Sequence, residues 1–91
     1  MEERTKVIEF VRNFFNKNSY LLKVDNDEQR EHVESVAVSC ICTKHNISYA
    51  GGGFAKAVAE NNLESAVSRA DSIILYNIHA ITIVLMNFKN I

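Results

Sequence analysis

Proline is missing from all 91 residues, so nothing removes a donor from a helical hydrogen-bond ladder and long helices are permitted. Glycine is almost missing. Its three copies stand together as Gly51-Gly52-Gly53 and make the strongest break in the chain. Cysteine is scarce: Cys40 and Cys42 stand two apart, about 200° around a helix or on one face of a strand, and neither placement lets them bridge. Small buried thiols in a reduced, cytoplasmic protein are the expectation. Without a second cysteine pair no metal site is expected, even with His45 three residues from Cys42. A surplus of charge is missing too. Ten basic and eleven acidic residues give a net charge of −1, so no general attraction to nucleic acid is expected. No apolar run follows the charged Met1-Glu2-Glu3-Arg4, and no signal peptide is expected. The uncharged run Ser72–Phe88 contains Asn77, His79, Thr82 and Asn87 and falls short of the roughly 20 apolar residues of a membrane span.

The residues present have helical rhythm. A chain of this length is read as one domain, residues 1–91, with a modest core that a partner subunit can supplement. Val7, Ile8, Val11, Phe14 and Phe15 share one face of a helix over residues 2–17. Asp25 or Asn26 can cap a second helix, with Glu28 or Gln29 as reciprocal partner. That helix runs from about Asp27 to Lys44, with Val33, Val36, Ala37, Cys40 and Ile41 inward. The β-branched content of residues 36–42 also admits a strand, as does that of 79–86; helix is preferred at both. Asn46 suits the left-handed end of helix two. After the glycines, Phe54 to Glu60 is a short helix, and Asn61-Asn62 is a corner or a cap. From Leu63 to Phe88 apolar residues keep helical spacing, and beyond Ser72 they surround the helix. A helix apolar on every side is buried on every side. The expected fold is therefore all-α: three to four helices, the last long and strongly apolar, forming a homodimer through Ile74, Tyr76, Ile78, His79, Ile81, Val84, Leu85 and Phe88.

Few residues invite chemistry. Glycines before a helix let backbone N–H groups approach an anion. A candidate site for a small anionic ligand follows: Gly51, Gly52, Gly53 and Phe54, with Lys56 and Arg69 adding charge. The pattern lacks the Gly-Lys-Ser/Thr ending of a phosphate loop and the βαβ setting of a dinucleotide fingerprint, and close packing of backbone explains glycines equally well. Arg69 and Asp71, two apart, cannot face each other on a helix, so their partners are sought on helix two, near Glu31 and Glu34. His32 reads as a solvated residue of a charged face. No nucleophile–base order, paired carboxylates or metal motif stands out. No catalytic residue and no cofactor is expected.

Ser48-Tyr49-Ala50-Gly51-Gly52-Gly53-Phe54, Ala57-Val58, Asn61-Asn62-Leu63 and Ser68-Arg69-Ala70-Asp71 resemble small phage-encoded accessory proteins. Those carry a glycine triplet and an aromatic opening a helix, an Asn-Asn/Asp-Leu corner and an Arg/Lys-Ala-Asp step. The likeness covers about residues 48–72. It implies a non-essential phage product that binds something in the host cytoplasm, and it supplies no catalytic residues. Three functions are expected in turn: a binding protein that inhibits a host or defence component, a small-ligand (nucleotide or other anion) binder, and a structural oligomerisation module.

Overall fold

The computed structural model describes residues 2–47 and 51–89, so Ser48, Tyr49 and Ala50 of the glycine-containing segment lie outside the described residues. The described residues are all helix, turn and loop. Helix α1 spans Glu2–Lys17, a single 3₁₀ turn follows at Ser19–Leu21, and α2 spans Asp27–Lys44. Then come α3 (Gly53–Ala59), α4 (Leu63–Arg69), α5 (Ser72–Tyr76) and α6 (Ile78–Asn87). The two segments for which a strand was open, 36–42 and 79–86, are both helical.

The start of α2 follows its side chains. Asn26 Oδ1 accepts the Gln29 N–H at 2.8 Å, and Gln29 Oε1 accepts the Asp25 N–H at 2.8 Å, a reciprocal cap. Asn46 adopts φ 56° just past the helix end, where a non-glycine residue is tolerated best if it is Asn. Asn61 repeats this at φ 59°, and Asn62 Oδ1 caps α4 by accepting the Ser65 N–H at 3.1 Å. The Asn61-Asn62 pair thus serves as corner and cap together.

Helix α2 is the axis of the fold. Val33, Ala37, Cys40 and Ile41 are buried as their spacing predicts and Val36 is half-buried; Cys42 is buried as expected of the thiols, and Val38 is buried as well. The extra burial arises because α2 packs against α1, α3, α5 and α6 in turn. From α1, Val7, Val11 and Phe15 enter this core; from α6, Ala80, Ile81, Val84 and Leu85 do so. Phe10 and His45 both meet Phe88 edge-on, at 5.3 and 5.1 Å between ring centres, and close one end of the core. Arg30 ties α1 to α2 by donating to Asn16 Oδ1 at 2.7 Å, while its Nε meets Glu34 at 2.8 Å.

The long final helix is a correction. Residues 63–87 form three helices of 7, 5 and 10 residues instead of one, which raises the α-helix count among the described residues to six. The first break is local: Ala70 is extended, and Asp71 Oδ1 accepts the Ile74 N–H at 2.8 Å, so Asp71 starts α5 rather than continuing α4. The second break is tertiary. Asn77, fully buried, turns its amide onto the extended chain after the 3₁₀ turn. Its Oδ1 accepts the Lys23 N–H at 2.7 Å, and its Nδ2 donates to the Lys23 carbonyl at 3.2 Å and to the Ile73 carbonyl at 2.8 Å. The breaks rotate the helical faces relative to one another. Leu63 (71% exposed), Tyr76 (75%) and Met86 (69%) face outward, although the apolar run implied burial all round.

Replacing Asn77 with Ala removes three hydrogen bonds and leaves the part-buried N–H and carbonyl of Lys23 without their side-chain partner. At about 1 kcal/mol for each bond, a loss of about 3 kcal/mol is expected in urea denaturation. The Lys23 amide should also lose its hydrogen-exchange protection.

Candidate functional site

The loop ahead of α3 lies against α2 through one hydroxyl. Thr43 Oγ1 donates to the Ser39 carbonyl at 2.7 Å and accepts the Gly51 N–H at 2.8 Å. A β-carbon at Gly51 would lie 2.8 Å from Ala55 Cβ and 3.0 Å from Thr43 Oγ1, so close backbone approach demands glycine there. None of the three glycines has a positive φ. Gly52 has open space on its side-chain face. At Gly53 a β-carbon would lie 2.7 Å from Arg69 Nη1 and 2.8 Å from Arg69 Cδ. The Arg69 side chain therefore lies across the glycine at the head of α3, and its Nε also donates to Ser65 Oγ at 3.3 Å.

These contacts enclose a cleft of about 470 Å³, lined by Gly51, Gly52, Gly53, Lys56, Ala57, Glu60, Ser65 and Arg69. Five of the six candidate ligand residues meet here: the three glycines, Lys56 and Arg69. Phe54 does not, because it turns away to pack on the buried core. Ser65 and Glu60 are added. Neither has a sequence signature, although Ser65 stands one helical turn before Arg69 and was legible as its neighbour. Lys56, Arg69 and Glu60 are all exposed, and neither cation makes an ion pair among the described residues. The formal charge of the lining is +1.

The candidate interface residues fare differently. Ile74, Ile81, Val84 and Leu85 are consumed by the subunit's own core, and Phe88 packs against Phe10 and His45. Only Tyr76 and His79 are fully outward, and Ile78 is half-buried. The expected interface is thus mostly interior. One helical face cannot fill two places, and the packing of α6 on α2 takes it first. Asp71 finds a partner on helix two, His32, at 2.8 Å, but Arg69 does not: it pairs with neither Glu31 nor Glu34 and donates to Ser65 Oγ within its own helix. The Ile74 N–H bond, and after it the His32 bond, hold the Asp71 carboxyl below the usual carboxylate range.

The thiols are inert by placement. Both are buried, and burial pushes Cys40 up to about 12. Burial also raises Cys42, against the opposing pull of the Arg4 guanidinium. Among the described residues no group of three His, Cys, Asp or Glu side chains is arranged to hold a metal ion, and no helix is long and apolar enough to cross a membrane.

Two outcomes follow. Gly51→Ala should cost about 1–3 kcal/mol through overpacking, whereas Gly52→Ala, with open space on its side-chain face but at the N-cap of α3 where Ala is disfavoured, should cost less, about 0.5 kcal/mol, both read by urea denaturation. Folding raises the Cys40 thiol from its ordinary value of 9.0 to about 12, so its contribution is complete below pH 9 and is lost as pH rises toward 12. Stability should fall across that window in the native protein, and the fall should be shallower in Cys40→Ala.

Comparison with known proteins finds no family model, no curated protein and no solved structure that matches this chain.

Proposed function

We propose that the chain is a non-enzymatic binding protein whose cleft between the 51–53 loop and α4 takes a small anionic ligand, a nucleotide or another phosphate-bearing molecule. The observation that carries this reading is the meeting of Lys56 and Arg69 beside the glycine backbone, with no ion-pair partner for either among the described residues. Two convergent cations with open hydrogen-bonding positions suit an oxyanion, and the planar guanidinium can engage two of its oxygens at once. Close backbone at Gly52 leaves room for a ligand to approach. The lining contains no histidine or cysteine, which favours binding over covalent chemistry.

A second reading is supported by a different surface. Leu63 and Met86 stand exposed beside an apolar groove between the α3–α4 corner and α6. Such a surface fits inhibition of a host or defence protein, in keeping with the likeness to phage accessory products. In the first reading the chain acts as a homo-oligomer; in both it works in the host cytoplasm, where free buried thiols are at home, and neither reading needs a cofactor, a membrane or nucleic acid.

Thermal unfolding with inorganic phosphate and with mono-, di- and cyclic nucleotides tests the first reading. A ligand at a hundred times its Kd adds about 2.7 kcal/mol, which in a domain of this size raises Tm by on the order of 10 °C. The rise should vanish in Lys56→Ala/Arg69→Ala. An unmoved Tm across the panel would overturn the anion reading. Stoichiometric capture of a host protein by the native chain, abolished by Met86→Lys, would then establish the second.

A further inference from the structure

Helices α3 and α4 have two different sides. One side, with Lys56, Ser65 and Arg69, forms the cationic cleft. The other, with Val58, Leu63 and Ala66, forms the wall of the apolar groove, which α6 completes with Ile78 and Leu85. The groove holds about 380 Å³, room for a few aliphatic side chains, and Leu63 and Met86 stand at its edge, 71% and 69% exposed. Val67, one turn beyond Leu63, is also exposed. One surface therefore carries both a hollow for aliphatic side chains and the aliphatic side chains to fill it.

We infer that the occupant of this groove is a second copy of the chain, paired about a two-fold axis so that α4 of each copy lies over the groove of the other. The charges supply the argument for self-pairing. Among the described residues Lys44 is the only charged one lining the groove, and it makes no ion pair. Glu64 follows Leu63 on the exposed face of α4 and makes none either. In a two-fold pairing, a contact of Lys44 with the other copy's Glu64 is made twice, because each contact recurs with the roles exchanged. Apolar anchors at the centre and opposite charges at the edge are what a specific interface requires. The pairing deepens the homo-oligomer part of the reading above, and of the interface residues the sequence pointed to its groove keeps Ile78 and Leu85. It does not depend on the anion cleft.

Sedimentation velocity from low micromolar to sub-millimolar concentration tests it. The native chain should sediment as a dimer. Leu63→Glu should weaken dimerisation by about a hundredfold, as the loss of a central anchor does. Lys44→Glu and Glu64→Lys should each weaken it about fivefold, and the double variant Lys44→Glu/Glu64→Lys should restore it. These side chains are exposed or at the groove edge, so unchanged helical circular dichroism and Tm below the dimerisation range will show that each variant folds. A native chain that is monomeric throughout would overturn both this pairing and the homo-oligomer reading. A dimer unaffected by Leu63→Glu would overturn the groove alone and leave a homo-oligomer built on another face. Failure of the charge swap to restore pairing would overturn the two-fold arrangement.

Discussion

A side-chain amide carries the same donor and acceptor as a peptide group, and the fold depends on one that stands in for a missing backbone neighbour. Asn77 is fully buried and bonds both the N–H and the carbonyl of Lys23, 54 residues away in the chain. The segment leaving α1 has no strand or helix to satisfy it there, and a buried unpaired peptide group is costly. The same amide takes the Ile73 carbonyl and sits at the bend between α5 and α6. One residue thus sets where the chain passes after α1 and the angle at which α6 returns to α2.

With that corner in place, α2 is enclosed. It has helical neighbours on several sides, so Val38, outside the face its spacing marks as inward, is interior as well. The aromatic contact of Phe88 with Phe10 and His45 closes the end at which α1, α2 and the residues after α6 come together. These demands use up the apolar face of α6. The large apolar side chains left outside are Tyr20 in the 3₁₀ turn, Leu63 and Val67 on α4, Leu75 and Tyr76 on α5 and Met86 on α6, so the available contact surface is shared between α4 and the outward positions of the hydrophobic stretch.

The α3–α4 unit then divides two chemistries. Ala57 lines both the cationic cleft and the apolar groove, and at this thin point a ligand in one space is close to an occupant of the other. Gly51 and Gly53 permit this geometry for different reasons, one by its approach to Thr43 and Ala55, the other by giving the Arg69 side chain a surface to lie on. A conformational demand for left-handed backbone plays no part at the glycines; it is met by Asn46 and Asn61.

Local physics was legible without the structure. Helix α1, the reciprocal cap of α2, the left-handed Asn46 and the capped corner at Asn61-Asn62 each rest on side chains within a few residues of one another, and each forms as the spacing requires. The cap at Asp71 was local too, but the apolar rhythm running from Leu63 to Phe88 concealed it. The meeting of Lys56 and Arg69 was readable as residue types and not as a distance, since only the packing of α4 on α3 brings them to one cleft. By itself, then, the sequence determined that the chain is helical and where most helices begin, because capping and periodicity act over a single turn. Tertiary structure alone decided that Asn77 bends the final helix, that α6 spends its apolar face on α2, and that His32 meets Asp71. Each of these depends on partners tens of residues away, which only the packed chain brings together.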